Sequence, residues 1–321
     1  MTRQLLLIAI TLILPALASA QVVEELLNNT GIPIHDFVVS GNELLAVTGG
    51  GCGEATVEEG GCPNSKSSII SVDTSDWSTT VIGSVPDANG LPGAALINGS
   101  LYALSGESEP DSNQVLLKLD PATGAIEQNY GQIYYGPPID DFENEWCTDL
   151  ALVDDRIVLS CWDWLWEVAL DETDKPIATA LWEEADSSLS GYMMGMVADD
   201  NGTLWTSWCD DDSGESNMMS FSDVFGDSPS PVMGPAIPDT KLYMALGHQG
   251  GVMVGNHYKY SCDGGEDASW VGTLSRLTWE GDAYPDFRDY STTFVPVPAL
   301  PSLLLWLLIG LAGLFGVRRL G

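Results

Sequence analysis

Carboxylates dominate the chemistry this chain offers. The densest run is "CDDDSGESN", where Asp210, Asp211, Asp212 and Glu215 crowd one short segment. Calcium takes roughly six to eight hard oxygens from flexible loops, so these four acids are the candidate calcium ligands and calcium the candidate cofactor. Gly214 is misplaced for an EF-hand, whose ligands alternate before the glycine, and a solvated loop is the competing reading. A second acidic run, "CDGGED" from Cys262 to Asp267, occupies the matching place further along.

The other chemically suggestive stretch is "CWDWLW". Trp162, Trp164 and Trp166 alternate, so a strand through them projects all three from one face. Aromatic faces beside carboxylates bind sugar rings, with Asp163 or Glu167 placed to orient hydroxyls. Filling a gap in a packed core is the plainer role for the same side chains. His35, His248 and His257 are scattered, which suits surface polar residues better than a metal centre.

Recognisable catalytic grammar is missing. The chain has no G-x-S-x-G elbow, no H-E-x-x-H, no phosphate-binding glycine loop and no dinucleotide fingerprint. A glycosidase needs only two suitably spaced carboxylates, and 46 acidic residues leave that pair unidentifiable from sequence. No catalytic residue is assigned. The formal net charge of −35 repels nucleic acid and anionic lipid headgroups and favours cations and basic partners.

These residues are carried by a repeating body. Five segments share an apolar stretch, a tight polar turn and a second β-rich stretch, starting at Asp36, Gly93, Asp149, Gly195 and Met244. Their turns (Gly41-Asn42, Asn98-Gly99, Asp154-Asp155, Asn201-Gly202, Gly250-Gly251) use residues that tolerate positive φ, as hairpins require. The following strands begin near Leu44, Leu101, Ile157, Leu204 and Val252, at spacings of 57, 56, 47 and 48 residues. Each unit then adds a second strand that leaves on an acid: Asp73, Asp120, Asp171, Asp223 or Glu280. Two hairpins per unit make a four-stranded blade, and blades arranged radially make a β-propeller. The expected fold is all-β, with about five four-stranded blades. A sandwich or solenoid is the alternative, and a short helical turn is expected at 22–28.

Six cysteines, all in the body, read as three disulfides of an oxidising compartment. They allow about fifteen connectivities, which sequence does not choose between; closeness along the chain favours Cys52–Cys62, Cys147–Cys161 and Cys209–Cys262. At the N-terminus, Arg3, an apolar run and Ala18-Ser19-Ala20 form a secretory signal peptide, with cleavage between Ala20 and Gln21. At the other end, residues 299–317 form an apolar stretch of 19 residues, long enough to span a bilayer as a helix. Arg318 and Arg319 follow, positive charge that stays on the cytoplasmic side. The expected organisation is a signal peptide over 1–20, a propeller ectodomain over 21–290, a linker and box over 291–298, the membrane helix over 299–317 and a basic tail over 318–321.

The box Val295-Pro296-Val297-Pro298-Ala299, followed by a hydrophobic helix and an arginine cluster, resembles the PEP-CTERM class of bacterial exported proteins. Val297 stands where the commonest form has Glu, so the resemblance is to a variant box. It covers only the tail, and implies sorting by an exosortase-type membrane enzyme towards the envelope or surface. "LYALSG…LLKLDPATGAI" and "DDNGTLW" are similar to blade phrases of the broad PQQ-like and NHL-like propellers.

Together these features point to an exported propeller, anchored at the inner membrane with its body outside the cytoplasm or released to the surface or matrix. It would serve there as a binding or scaffold module, with polysaccharide a candidate partner. The alternative is a carbohydrate-active propeller enzyme using paired carboxylates. Mass spectrometry of the mature chain tests the tail: sorting predicts a C-terminus near Pro298, whereas a permanent anchor retains Arg318-Arg319.

Overall fold

The computed structural model describes residues 21–27, 34–40, 43–48, 67–85, 88, 90–106, 114–136, 147–184, 189–249, 251–262, 272–279 and 285. The signal peptide, the sorting box, the membrane segment and the Cys52–Cys62 pair lie outside them. Among the described residues no helix is long and apolar enough to cross a membrane.

The chain opens with strand β1 (Gln21–Leu27). Blade 1 is β2 (Ile34–Ser40), β3 (Glu43–Thr48), β4 (Ser68–Val72) and β5 (Thr79–Ser84). Blade 2 is β6 (Ala94–Ile97), β7 (Ser100–Ser105), β8 (Val115–Leu119) and β9 (Ile126–Gln132). The two-residue β10 (Tyr134–Tyr135) precedes blade 3, which is β11 (Cys147–Val153), β12 (Arg156–Cys161), β13 (Trp164–Leu170) and β14 (Pro176–Glu183). Blade 4 is β15 (Gly191–Ala198), β16 (Leu204–Asp210), β17 (Ser216–Phe221) and β18 (Pro231–Ala236). A 3-10 turn at Pro238–Thr240 leads to β19 (Lys241–Gln249), β20 (Val252–Ser261) and β21 (Thr273–Trp279). This is the expected five-bladed propeller, and the doubled hairpins of the repeat are its blades.

Two details depart from the repeat. β10 adds to the outside of blade 3, pairing in parallel with β14. More important, blade 5 takes its fourth strand from the opposite end of the chain: β1 pairs antiparallel with β21, from Gln21↔Trp279 to Leu27↔Leu274. The expected helical turn at 22–28 is therefore corrected to a strand. A lone seven-residue segment gains little as an isolated helix, whereas the edge of β21 offers a partner for its backbone along its length.

Burial follows strand position. β3 carries five consecutive buried residues because both faces of a blade pack on neighbouring blades, so the alternation of a one-sided sheet is lost. The outermost β5, β9 and β18 are largely exposed. Large side chains fill the wedges between blades: Trp166, with Trp164 stacked on it at 5.1 Å, packs against Leu104 and Leu116 of blade 2. Turn chemistry fixes the registers. Asn98 and Gly99 take φ of 51° and 81°, and Asp154 and Asp155 take 49° and 62°. Asp73, Asp120 and Asp171, which leave the third strands of blades 1, 2 and 3, cap the next turn through their side chains. Asp73 Oδ1 accepts the Ser75 N–H at 2.9 Å and its hydroxyl at 2.7 Å, and Asp171 Oδ1 accepts the Thr173 N–H at 2.7 Å. The Ser75 bonds hold Asp73 below its ordinary range, and the Lys175 N–H at 3.0 Å, with Thr173, holds Asp171 below its own.

Two of the expected disulfides are formed. Cys147–Cys161 joins directly paired residues of β11 and β12. Cys209–Cys262 ties the end of β16 in blade 4 to the segment after β20 in blade 5. Their sequence separations are 14 and 53 residues. Chain entropy favours the longer crosslink by about 1 kcal/mol, each bridge contributing about 2–4 kcal/mol. Urea unfolding of the Cys209→Ser/Cys262→Ser and Cys147→Ser/Cys161→Ser double variants should show the greater loss in the first; the reverse order would sink this account.

Candidate functional site

The propeller axis is built around two acids. Asp36 and Asp149 sit in the innermost strands of blades 1 and 3, and both are fully buried. Asp36 Oδ1 accepts the N–H of its neighbour Phe37 at 2.6 Å, and Oδ2 accepts the N–H of Ala94 in blade 2 at 2.6 Å. Asp149 repeats the pattern, accepting from Leu150 at 2.7 Å and from Met196 in blade 4. The two carboxyls are also hydrogen-bonded to one another. Four innermost strands thus converge on one pair of side chains.

The matching positions in blades 2 and 4 are Gly93 and Gly195. A Cβ on Gly93 would lie 2.6 Å from Leu150 N and 2.7 Å from Asp149 C, and one on Gly195 would lie 2.7 Å from Tyr243 O. Alternating Asp and Gly therefore lets neighbouring strands close on the axis while the carboxylates satisfy their backbone edges. Burial, then repulsion from Asp149, pushes the Asp36 carboxyl well above the usual carboxylate range. Burial also raises Asp149, opposed by its hydrogen bonds from Asp36 and from the backbone of Met196 and Leu150. Both carboxyls therefore keep their protons well above the ordinary range, Asp149 up to about 8.

Immediately beyond the pair, towards the β2–β3 and β6–β7 turns, the channel opens into a cavity of about 420 Å³. Its walls include Phe37, Ala94, Leu150 and Met196, each one residue beyond the Asp/Gly tier. Asp199, Asp200 and His248 also line it.

A second grouping lies at the other end of blades 3 and 4. Trp162 is not on the β13 face with Trp164 and Trp166, which corrects the three-tryptophan expectation. It occupies the β12–β13 turn with φ of 50°, a conformation uncommon for a bulky residue, and this flips it out of the strand alternation. Trp164 and Trp166 are buried, at 7% and 0% exposure, so they belong to the core. Trp162 instead stands edge-on to Tyr192, their ring centroids 4.9 Å apart. The Met193 N–H donates to the Trp162 carbonyl at 2.8 Å, and the Glu184 N–H donates to the Asp163 carbonyl at 2.9 Å. Asp163, half-buried, is raised mainly by desolvation. Glu184 is raised by desolvation and then by the charges of Asp163, Asp211 and Asp212. The structure thereby brings one of the candidate tryptophans and two of the candidate calcium acids to one patch.

The remaining candidates are dispersed. Asp210 spends its carboxylate on the β16–β17 turn, accepting the N–H groups of Asp212 at 3.0 Å and Ser213 at 2.8 Å. Glu215 is exposed, and its carbonyl accepts the Asp210 N–H at 3.0 Å. Among the described residues no three His, Cys, Asp or Glu side chains cluster so as to hold a metal ion. The second acidic run, beyond Cys262, lies outside the described residues. The histidines are not surface residues: His35 in β2, His248 in β19 and His257 in β20 are all buried, because blades bury both faces of their strands. Burial lowers His35 to about 4 and also lowers His248, there opposed by Asp200 and Asp199.

The axial pair escaped the sequence reading, although its signal was present. The first four repeats begin on Asp36, Gly93, Asp149 and Gly195. An acid heading an apolar innermost strand, alternating with glycine, marks an axial tie.

No known family's sequence model matches the chain, and no curated protein matches it. Solved structures with a similar fold include a luciferin-regenerating enzyme at 14% identity and TM-score 0.44, covering 84% of this chain and 99% of that one. A GH43 β-1,3-galactosidase crystallised with galactodeoxynojirimycin is similar at 9% identity and TM-score 0.49, with 82% and 97% covered. The calcium-binding protein regucalcin from Agrobacterium tumefaciens is similar at 14% identity and TM-score 0.43, with 78% of each chain covered. Likeness at this level speaks to the propeller fold alone.

The axial pair predicts a pH dependence of stability. A raised folded pKa means the folded state keeps a proton that the unfolded state releases near pH 3.8. The pair's contribution is therefore full below about pH 4 and falls as pH rises through the folded values. His35 acts oppositely, its contribution being full above about pH 6.5 and lost towards pH 4. Asp36→Asn removes the Asp36 titration and sets an amide N–H against a backbone N–H. It should cost about 1–3 kcal/mol at pH 5 and flatten the decline of stability between pH 7 and 9. Urea midpoints at pH 5, 7 and 9 give the comparison, and an unchanged slope would remove the proton from the account.

Proposed function

We propose that this chain is an exported β-propeller that works as a binding or scaffold module of the cell envelope or extracellular matrix, with polysaccharide as its ligand. Its tail would anchor it at the inner membrane or hand it to an exosortase-type enzyme for release to the surface. Two disulfides support a site of action outside the cytoplasm, since such bonds persist in oxidising compartments. The observation that carries the binding reading is the patch around Trp162. A partly exposed indole, held in a strained turn against Tyr192 and rimmed by Asp163, Glu184, Asp211 and Asp212, offers a ring face for a sugar and acceptors for its hydroxyls. The axial acids support the same reading from the other side: they are sealed from solvent and engaged by four backbone amides.

One observation favours the enzymatic alternative. Asp163 and Glu184 both sit above their ordinary range, Glu184 in part through the charge of Asp163, as suits an acid and a base in glycosidic cleavage. A single assay series separates the two. Polysaccharide pull-down with the full-length chain in detergent should show retention, weakened about tenfold by Trp162→Ala, which removes the stacking face. The binding module releases no reducing ends. Release that drops by about a hundredfold or more in Asp163→Asn and Glu184→Gln would establish the enzyme instead. Retention unaffected by Trp162→Ala would overturn the patch.

A further inference from the structure

The axial cavity has chemistry of its own, separate from the patch around Trp162. Its geometry follows from the acid pair. The N–H groups of Phe37, Ala94, Leu150 and Met196 point to the axis, because the two carboxylates accept them. Backbone direction alternates along a strand. Two residues on, the backbone groups of Val39, Leu96, Leu152 and Ala198 therefore face the axis as well, and all four line the cavity. Among the described residues each innermost strand is the last member of its sheet, so this edge is paired with no further strand. The cavity wall is thus a ring of backbone carbonyls and amides between apolar side chains.

The charges around this ring have one sign. Beneath it lies the Asp36–Asp149 pair, whose carboxyls burial keeps protonated well above the ordinary range. At its mouth stand Asp199 and Asp200, and no lysine or arginine is among the lining residues. Asp199 is committed to its turn, accepting the Asn201 and Thr203 N–H groups at 2.9 Å and the Trp205 indole N–H at 3.3 Å. Asp200 acts on His248 across the mouth. Burial keeps His248 neutral at physiological pH, so its ring carries an acceptor nitrogen. A volume of about 420 Å³ suits a small organic molecule and far exceeds the space of a bare ion.

We propose that this cavity binds a small organic amine, its apolar body against the strand edges above the acid pair and its ammonium at the mouth beside Asp200 and His248. An anion would meet the negative charge of Asp199 and Asp200 at the mouth. A neutral apolar molecule would fill the same space and leave the carboxylate at the mouth unpaired, where an ammonium pairs with Asp200. The inference goes beyond the polysaccharide reading and stands independently of it, since the patch and the cavity lie at opposite ends of the blades.

Isothermal titration of the full-length chain in detergent micelles tests it with three probes of matched size: phenethylamine, 2-phenylethanol and 3-phenylpropanoate. Saturable one-to-one binding of the amine is expected, at least about tenfold tighter than the alcohol, with no binding of the carboxylate. Asp200→Asn should weaken the amine about tenfold. Ala198→Trp should fill the cavity and abolish binding while circular dichroism shows the fold intact. Equal affinity for amine and alcohol, or no saturable amine binding at millimolar concentration, would overturn the proposal. So would amine binding that survives Ala198→Trp, because attraction to the acidic surface alone would behave that way.

Discussion

A propeller must solve a problem at its axis. Among the described residues each blade ends in an innermost strand with an unpaired edge, and five such edges meet where no further strand can fit. Buried backbone donors left without acceptors cost about as much as the hydrogen bonds they lack. Here two carboxyls answer four of the edges at one tier, each serving its own strand and the next blade's. The arrangement places two acids side by side in a dry interior, which is tolerable only while the carboxyls keep their protons. The glycines at the intervening positions, the rise in both carboxyl pKa values and the cavity beyond the pair all follow from that choice.

Closure comes from three other devices. β1 completes blade 5 from the far end of the chain, so the ring is joined by backbone hydrogen bonds between residues more than two hundred apart in sequence. Arg276 reinforces the same seam by donating to Glu24 at 2.6 Å, an exposed pair of minor energetic weight. Cys209–Cys262 clamps blade 4 to blade 5 covalently. Paired tryptophans and methionines fill the wedges between blades, where the gap widens away from the axis. With the ring held so firmly, its turns and loops are free to vary, and the Trp162 turn at one end and the Asp199-Asp200 turn at the other are where recognisable chemistry collects.

The acidic composition acquires local meaning from this architecture. Many of the acids cap turns: Asp73, Asp120, Asp171, Asp199 and Asp210 each accept backbone N–H groups within their own hairpin. Asp36 and Asp149 do the same work across blades. A run such as "CDDDSGESN" that reads as a ligand set in one dimension is divided in three. Asp210 holds the turn, while Asp211 and Asp212 contribute charge to the patch around Glu184.

The sequence by itself determined the repeat and the hairpin turns, and it favoured five blades and the two disulfide pairs that form. All of these rest on local rules: turn residues with positive φ, apolar runs of strand length, and acids that cap the next turn. What only the tertiary structure decided is whatever depends on blades meeting. The pairing of β1 with β21 was hidden because strand partners are chosen by available edges, not by neighbours in sequence. The separation of Trp162 from Trp164 and Trp166 was hidden because one left-handed residue in a turn breaks the alternation. The burial of the three histidines and the meeting of Asp36 with Asp149, 113 positions apart in the numbering, depend on radial packing that no window of sequence contains. The Asp/Gly alternation at the head of the repeats was in plain view, and acquired its meaning only once those strands shared an axis.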